Sequence, residues 1–201
     1  TMELQKMELN EYRKVTAATE SIPESISFDL DQLAATLKIF ETVSETLDII
    51  KKQMFYSREP KNASFYDTML MDVIEQCNDA LTRNRQYDGR LPVVINEREK
   101  IRVLHCLIGL NTEAGETVPL INQLIRNYPL DMTNLKEELG DFVWYIDKGA
   151  SAIGITVQGL LVINNDKLQA RYTKGKFNNA EAIQRNLDNE VKIMSDSTGN
   201  Q

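Results

Sequence analysis

The sequence predicts an all-α fold, a helical bundle, on two observations. Apolar residues recur at helical spacing over most of the chain, and the alternation of Val, Ile and Thr with polar residues that marks strands is scarce. A first helix is expected from Leu4 to about Thr19. It ends near Ser21 and Pro23, because the residue before a proline is pushed out of the helical region. A second, from Asp31 to about Tyr56, sets Leu33, Leu37, Phe40, Val43, Leu47, Ile50 and Met54 in one apolar stripe that must pack on something. A third, from Ser64 to about Arg83, carries Met69, Leu70, Val73, Ile74, Cys77 and Leu81 and runs into the turn-rich Asp88-Gly89-Arg90-Leu91-Pro92.

A long helix follows with Asn96 as its expected N-cap. Pro119 removes a backbone donor and crowds the preceding turn, so a break is expected between 115 and 119. The loop Tyr128-Pro129-Leu130-Asp131 leads to a helix starting at Asp131 or Thr133 and reaching about Ile153, closed by Gly154. Thr156 then caps a helix through Arg171, and residues 180–194 predict a last short helix before a frayed tail.

The 201 residues, 42% of them apolar, suffice for one sizeable core, which makes a single principal domain the expectation. A net charge of −7 argues against a surface built to neutralise nucleic-acid phosphates. A small anionic ligand is compatible with it, since the field inside a cleft is local. Cys77 and Cys106 read as small core hydrophobes, and with His105 as the sole histidine no zinc spacing can be assembled. No apolar run approaches a membrane span and no leader sequence is apparent, so the expectation is a reducing, cytoplasmic setting with neither membrane nor nucleic acid as partner.

Two acidic pairs carry the chemistry. Glu113 with Glu116, and Glu138 with Asp141, each have i,i+3 spacing, so each pair lies on one side of its helix. Glu113 falls inside the apolar arc with Cys106, Leu120 and Leu124, and Glu138 and Asp141 adjoin Phe142 and Tyr145. Unpaired carboxylates buried there cost several kcal/mol, roughly, unless a cation meets them. Few Lys or Arg lie near. A metal ion is the better partner, and an all-oxygen donor set points to Mg²⁺, with Mn²⁺ as the alternative. Taken alone, either pair is an ordinary surface spacing. Asn164, Lys167 and Arg171 form a third stripe, in which an ammonium and a planar guanidinium are suited to phosphate oxygens. Taken alone, that stripe too is an ordinary amphipathic face. Trp144, His105, Met54, Met69 and Met71 read as packing or structural residues.

Together these residues resemble the MazG-like branch of the all-α nucleoside triphosphate pyrophosphohydrolases. The resemblance is carried by Glu113-Ala-Gly-Glu116 and Glu138-Leu-Gly-Asp141, by the wider strings GLNTEAGE and EELGDFVWYI, and by NNDKLQARYTKGKF with AIQRN after it. It covers roughly residues 97 to 190, and LNEYRKVTAAT is similar to the family's first helix. It implies one MazG-like domain over 1–194 with a helical insertion at 20–95, and 195–201 as a disordered tail. It also implies that Glu113, Glu116, Glu138 and Asp141 hold Mg²⁺ and do the catalysis, that Lys167 and Arg171 hold the phosphates, and that Asn164 and Tyr172 line the nucleotide site.

The activity implied is cleavage of a ribo- or deoxynucleoside triphosphate to its monophosphate and pyrophosphate, in control of the nucleotide pool. Purine substrates (dGTP or dATP) come first, and a homodimer or homotetramer of phage type, working in the host cytoplasm, is expected. Two departures, Pro119 and the long segment before Glu97, bear on substrate choice. The alternatives are a dUTP or dCTP pyrophosphatase of the same fold, and a helical interaction module without catalysis.

Overall fold

A computed structural model describes residues 8–56, 64–85 and 93–196. Its elements in chain order are α1 (Leu9–Thr19), β1 (Ile26–Phe28), α2 (Leu30–Tyr56), α3 (Phe65–Arg85), β2 (Val93–Ile95), α4 (Arg98–Glu116), α5 (Val118–Ile125), α6 (Met132–Ala152), α7 (Val157–Arg171), α8 (Asn179–Ile183) and α9 (Leu187–Asp196). The chain is thus mostly helical, as its periodicity predicts. Residues 4–7 of the expected first helix, the turn at 88–92 and the tail beyond Asp196 lie outside the described residues.

Several differences from the sequence expectation have simple causes. β1 and β2 pair antiparallel with Ile26 opposite Ile95 and Phe28 opposite Val93. Three residues per strand are too few for alternation to stand out. Glu97, not Asn96, occupies the N-cap position of α4, and its side chain makes no capping bond. The last expected helix is two, α8 and α9, and α9 continues to Asp196, past the point where the tail was placed.

Contacts divide the chain into two compact units, Ile26–Ile95 and the remainder, where the sequence reading has one domain with an insertion over 20–95. In the first, α2 packs on α3. The half-buried or buried positions of α2 include Ala35, Ile39, Thr42, Thr46, Ile49 and Gln53, at spacings of three and four. Those of α3 include Phe65, Met69, Val73, Gln76, Cys77 and Ala80. Thr42 donates to the Gln76 side-chain oxygen at 2.9 Å. Antiparallel running from that bond brings Ile49 level with Met69 and Gln53 level with Phe65.

In the second unit α4 and α6 form the central pair, with α1 and α7 against α6 and α9 against α7. Glycine lets α4 and α6 approach. A Cβ on Gly109 would sit 2.1 Å from the Tyr145 ring, and one on Gly149 would sit 2.4 Å from Cys106 Sγ. Cys106 in turn donates to the Tyr145 carbonyl at 3.2 Å. Ile101, Cys106 and Ala150 are buried at this contact.

A polar network ties α1 to the same pair. Glu20 accepts both guanidinium arms of Arg102, at 2.8 and 3.2 Å, and Arg102 also donates to Ser151. Lys148 Nζ lies 3.8 Å from Glu20 and 3.5 Å from Asp147, and Thr16 donates to Asp147. Thr16, Asp147 and Lys148 are buried, which is affordable only because each charge has an opposite one beside it.

The break expected at 115–119 falls at Thr117, whose N–H bonds the carbonyls of Glu113 and Gly115, and Pro119 sits in the first turn of α5 where no donor is needed. Asp131 caps α6 by accepting from the Thr133 and Asn134 amides. Gly154, at φ 77°, makes the turn out of α6, and Thr156 caps α7. The two helices meet at 94°. Among the described residues no single helix is long and apolar enough to cross a membrane.

Candidate metal centre

The register of α4 on α6 places the acidic residues. Gly109 meets Tyr145 and Cys106 meets Gly149. Continuing antiparallel from those contacts, Glu113 comes level with Asp141 and Glu116 with Glu138. Glu113, Glu116 and Glu138 each offer a carboxylate oxygen, and these oxygens lie within 4.8 Å of one another. Glu113 and Glu138 are buried, while Glu116, the last residue of α4, is exposed because the helix ends there.

Asn134 fixes one side of the cluster by donating to Glu138 Oε1 at 2.6 Å. Glu138 Oε2 is buried without a hydrogen-bond partner among the described residues, on a residue only 3% exposed. Burial raises the Glu113 carboxyl above its ordinary range, and the neighbouring carboxylates of Glu116, Asp141 and Glu138 raise it further. Three converging carboxylates with an orphaned oxygen are unfavourable as they stand and favourable around a cation. The donor set is all oxygen, which fits a hard divalent ion.

Asp141 is exposed and stands outside the trio, although its charge is felt by Glu113, Tyr145 and Tyr12. Tyr145, which the sequence places beside Glu138 and Asp141 without giving it a role, is a neighbour of the cluster. Its phenol is raised by burial and then by Glu113, Asp141 and Glu116. Its position seven residues after Glu138, on the same face of α6, is the signal that could have found it. Asn134, four residues before Glu138, is the other.

The basic stripe is placed elsewhere. Asn164 is exposed and Lys167 half-buried on α7, and Lys167 makes no ion pair among the described residues. Arg171 grips the buried Glu190 with two bonds of 2.9 and 2.7 Å, and Arg185 grips the same carboxylate. These two guanidiniums hold the Glu190 carboxyl down at about 2. Tyr172 lies beside Arg171, 6.0 Å from ring centre to guanidinium, and 5.9 Å from the Phe177 ring.

From Glu138 to Ala152, and from Val157 to Lys167, helical rise gives legs of about 21 and about 15 Å, which at a near right angle separate the stripe from the acidic end of α6 by about 25 Å. The acidic residues converge within this chain, and the expected phosphate-binding residues do not join them. Of the residues read as packing, Trp144 is half-buried and donates to Thr19 at 2.9 Å, while His105 is exposed with its ring edge against Trp144 and Tyr145.

Comparison with protein-family models, with curated proteins and with solved structures returned no match.

Proposed function

We propose that the α4/α6 pair holds a divalent cation, Mg²⁺ or Mn²⁺, and that the protein uses it to hydrolyse a nucleoside triphosphate to the monophosphate and pyrophosphate. The observation that carries the cation is Glu138 Oε2, buried and unpartnered within reach of the Glu113 and Glu116 oxygens. The step from cation to triphosphate rests on the resemblance of Glu113-Ala-Gly-Glu116 and Glu138-Leu-Gly-Asp141 to the MazG-like motifs.

A divalent ion supplies the positive charge that a polyphosphate requires and makes a neighbouring water acidic enough to attack phosphorus. Glu113 and Glu138 would hold the ion with their buried oxygens, and Asn134 fixes the Glu138 rotamer by donating to its Oε1. Glu116 and Asp141, both exposed, face the solvent from which substrate and water arrive, so either can orient the attacking water. Arg171 is committed to Glu190, and Lys167 stands along α7 away from the acidic end of α6, so the phosphate oxygens are left to the cation rather than to the α7 stripe.

The test is pyrophosphate release from each common ribo- and deoxynucleotide in Mg²⁺, with Glu138→Gln as control. Glu138→Gln is expected to lower kcat/KM at least about 100-fold, or about 2.7 kcal/mol of transition-state stabilisation, with helical content unchanged. An active Glu138→Gln protein would sink the metal assignment. The nucleotide panel also separates a purine-directed enzyme from a dUTP or dCTP pyrophosphatase. One observation favours a second reading, a helical module that binds the cation without catalysis: Arg171, expected to hold phosphate, is taken up by Glu190. Calorimetric Mn²⁺ binding with no pyrophosphate from any nucleotide would select it.

A further inference from the structure

The α2/α3 hairpin leaves its richest apolar surface uncovered. Each helix carries two stripes rather than one. The seam stripe of α2, Ala35 to Gln53, packs on α3 and includes Thr42, Thr46 and Gln53, whereas Leu37, Phe40, Val43, Leu47 and Met54 stand exposed, from 38% at Phe40 to 67% at Met54. On α3 the counterpart is Leu70, Ile74 and Leu81, each more than half exposed. At 100° per residue the exposed stripe lies about 120° round from the seam, in the same sense along each helix. Because the helices run antiparallel, that sense places both stripes on one side of the hairpin.

We propose that this side is the docking surface for the hairpin of a second copy of the protein, the two hairpins closing into a four-helix bundle. Two apolar stripes on one helix are what a helix with two neighbours requires, and the hairpin supplies each helix with one. A second hairpin supplies the other for all four helices at once, with the same patch on both sides of a two-fold axis.

Charge agrees. Lys38 and Glu41 pair at 2.7 Å, away from the apolar face, and Lys51, which stands on that face between Leu47 and Met54, is neutralised by Asp48 at 2.6 Å. The partner therefore needs an apolar face that leaves this one ion pair at its edge. Area agrees as well. Eight half-exposed large apolar side chains at about 90 Å² apiece come to on the order of 700 Å² per copy, close to the ~800 Å² each partner gives to a stable interface. No apolar residue of Ile26–Ile95 is fully buried among those described, so the hairpin has no core of its own without such cover. The inference is independent of the α4/α6 site.

The test is the mass of the full chain by light scattering, unaltered and as the double variant Leu47→Glu with Ile74→Glu. The unaltered chain is expected to be an even-numbered assembly and the variant to fall to half its mass with helical content retained. A monomeric unaltered chain, or a variant of unchanged mass, overturns the proposal. Should the variant unfold, hydrogen exchange of the unaltered chain decides: amides around Leu47 and Ile74 should slow by about tenfold or more between about 0.5 and 50 µM protein, as mass action requires. Rates that do not depend on concentration, as when the face is covered by its own chain or bare, overturn it too.

Discussion

Two antiparallel helix pairs in this protein solve opposite problems. In α4/α6 the helices approach through Gly109 and Gly149, and what they enclose at one end is charge: Glu113 and Glu138, buried with an oxygen to spare. In α2/α3 the seam mixes Ile39 and Ile49 with Thr42, Thr46 and Gln53, while Leu37, Phe40, Val43 and Leu47 stand outside. Each pair is incomplete in the coin of its own chemistry. The first gathers like charges around a buried oxygen, and the second turns apolar side chains to solvent. Close packing by itself therefore does not tell which pair is finished, and the identity of what is left unsatisfied does.

The largest effect that tests this contrast is cation binding. Burial and neighbouring carboxylates raise the Glu113 carboxyl, so without a cation its contribution to stability is full at pH below the ordinary glutamate range and is lost as pH rises through the raised value. A bound cation reverses that penalty. Saturating Mn²⁺ at about 100 times its Kd should add about 2.7 kcal/mol at pH 7.5 by mass action, and clearly less at pH 5, read as the shift in thermal midpoint. An equal gain at both pH values, or none, breaks the argument that the cluster is a cation site.

Next in size is the helix approach. Gly109→Ala drives a methyl into the Tyr145 ring and should cost about 2 kcal/mol net of the helix propensity gained, whereas Gly140→Ala, with nothing within 4 Å, should gain roughly 0.5–1 kcal/mol. Denaturant melts of the two variants sharpen the comparison through the sign difference between them. Smallest is the polar seam. Thr42→Val removes the hydroxyl that donates to Gln76 and should cost about 1 kcal/mol; a neutral or stabilising result would mean that α2 and α3 do not hold this register in solution.

Much of the architecture was legible. Helices longer than three turns announced themselves by period, Asp131 and Thr156 cap where their side chains predict, and Pro119 put the break within 115–119, where Thr117 makes it. The spacing of Glu113, Glu116 and Glu138 singled out three side chains whose carboxylate oxygens converge between α4 and α6. What the sequence withheld is whatever depends on how helices meet. Tyr145 joins the acidic cluster only because Gly109 admits its ring. Arg171 looked free for phosphate until α9 brought Glu190 to it.

The 94° turn at Gly154 likewise depends on packing around residues 153–156 rather than on any periodic signal. In α2 the stripe from Leu33 to Met54 is the stronger pattern to read, yet the seam runs through Thr42 and Thr46. Periodicity reports that a face is apolar, not which neighbour takes it.

The small ladder between Ile26–Phe28 and Val93–Ile95 has one more consequence. Paired Cα atoms in such a ladder are about 5 Å apart, so the chain departs at Ile26 and comes home at Ile95 through a single narrow gate. The unit Ile26–Ile95 thus enters and leaves at one place, of the kind that can be grafted, exchanged or excised by joining Ser25 to Asn96 through a short turn. Such a module is free to diverge on its own schedule while the helices on either side of the splice keep theirs.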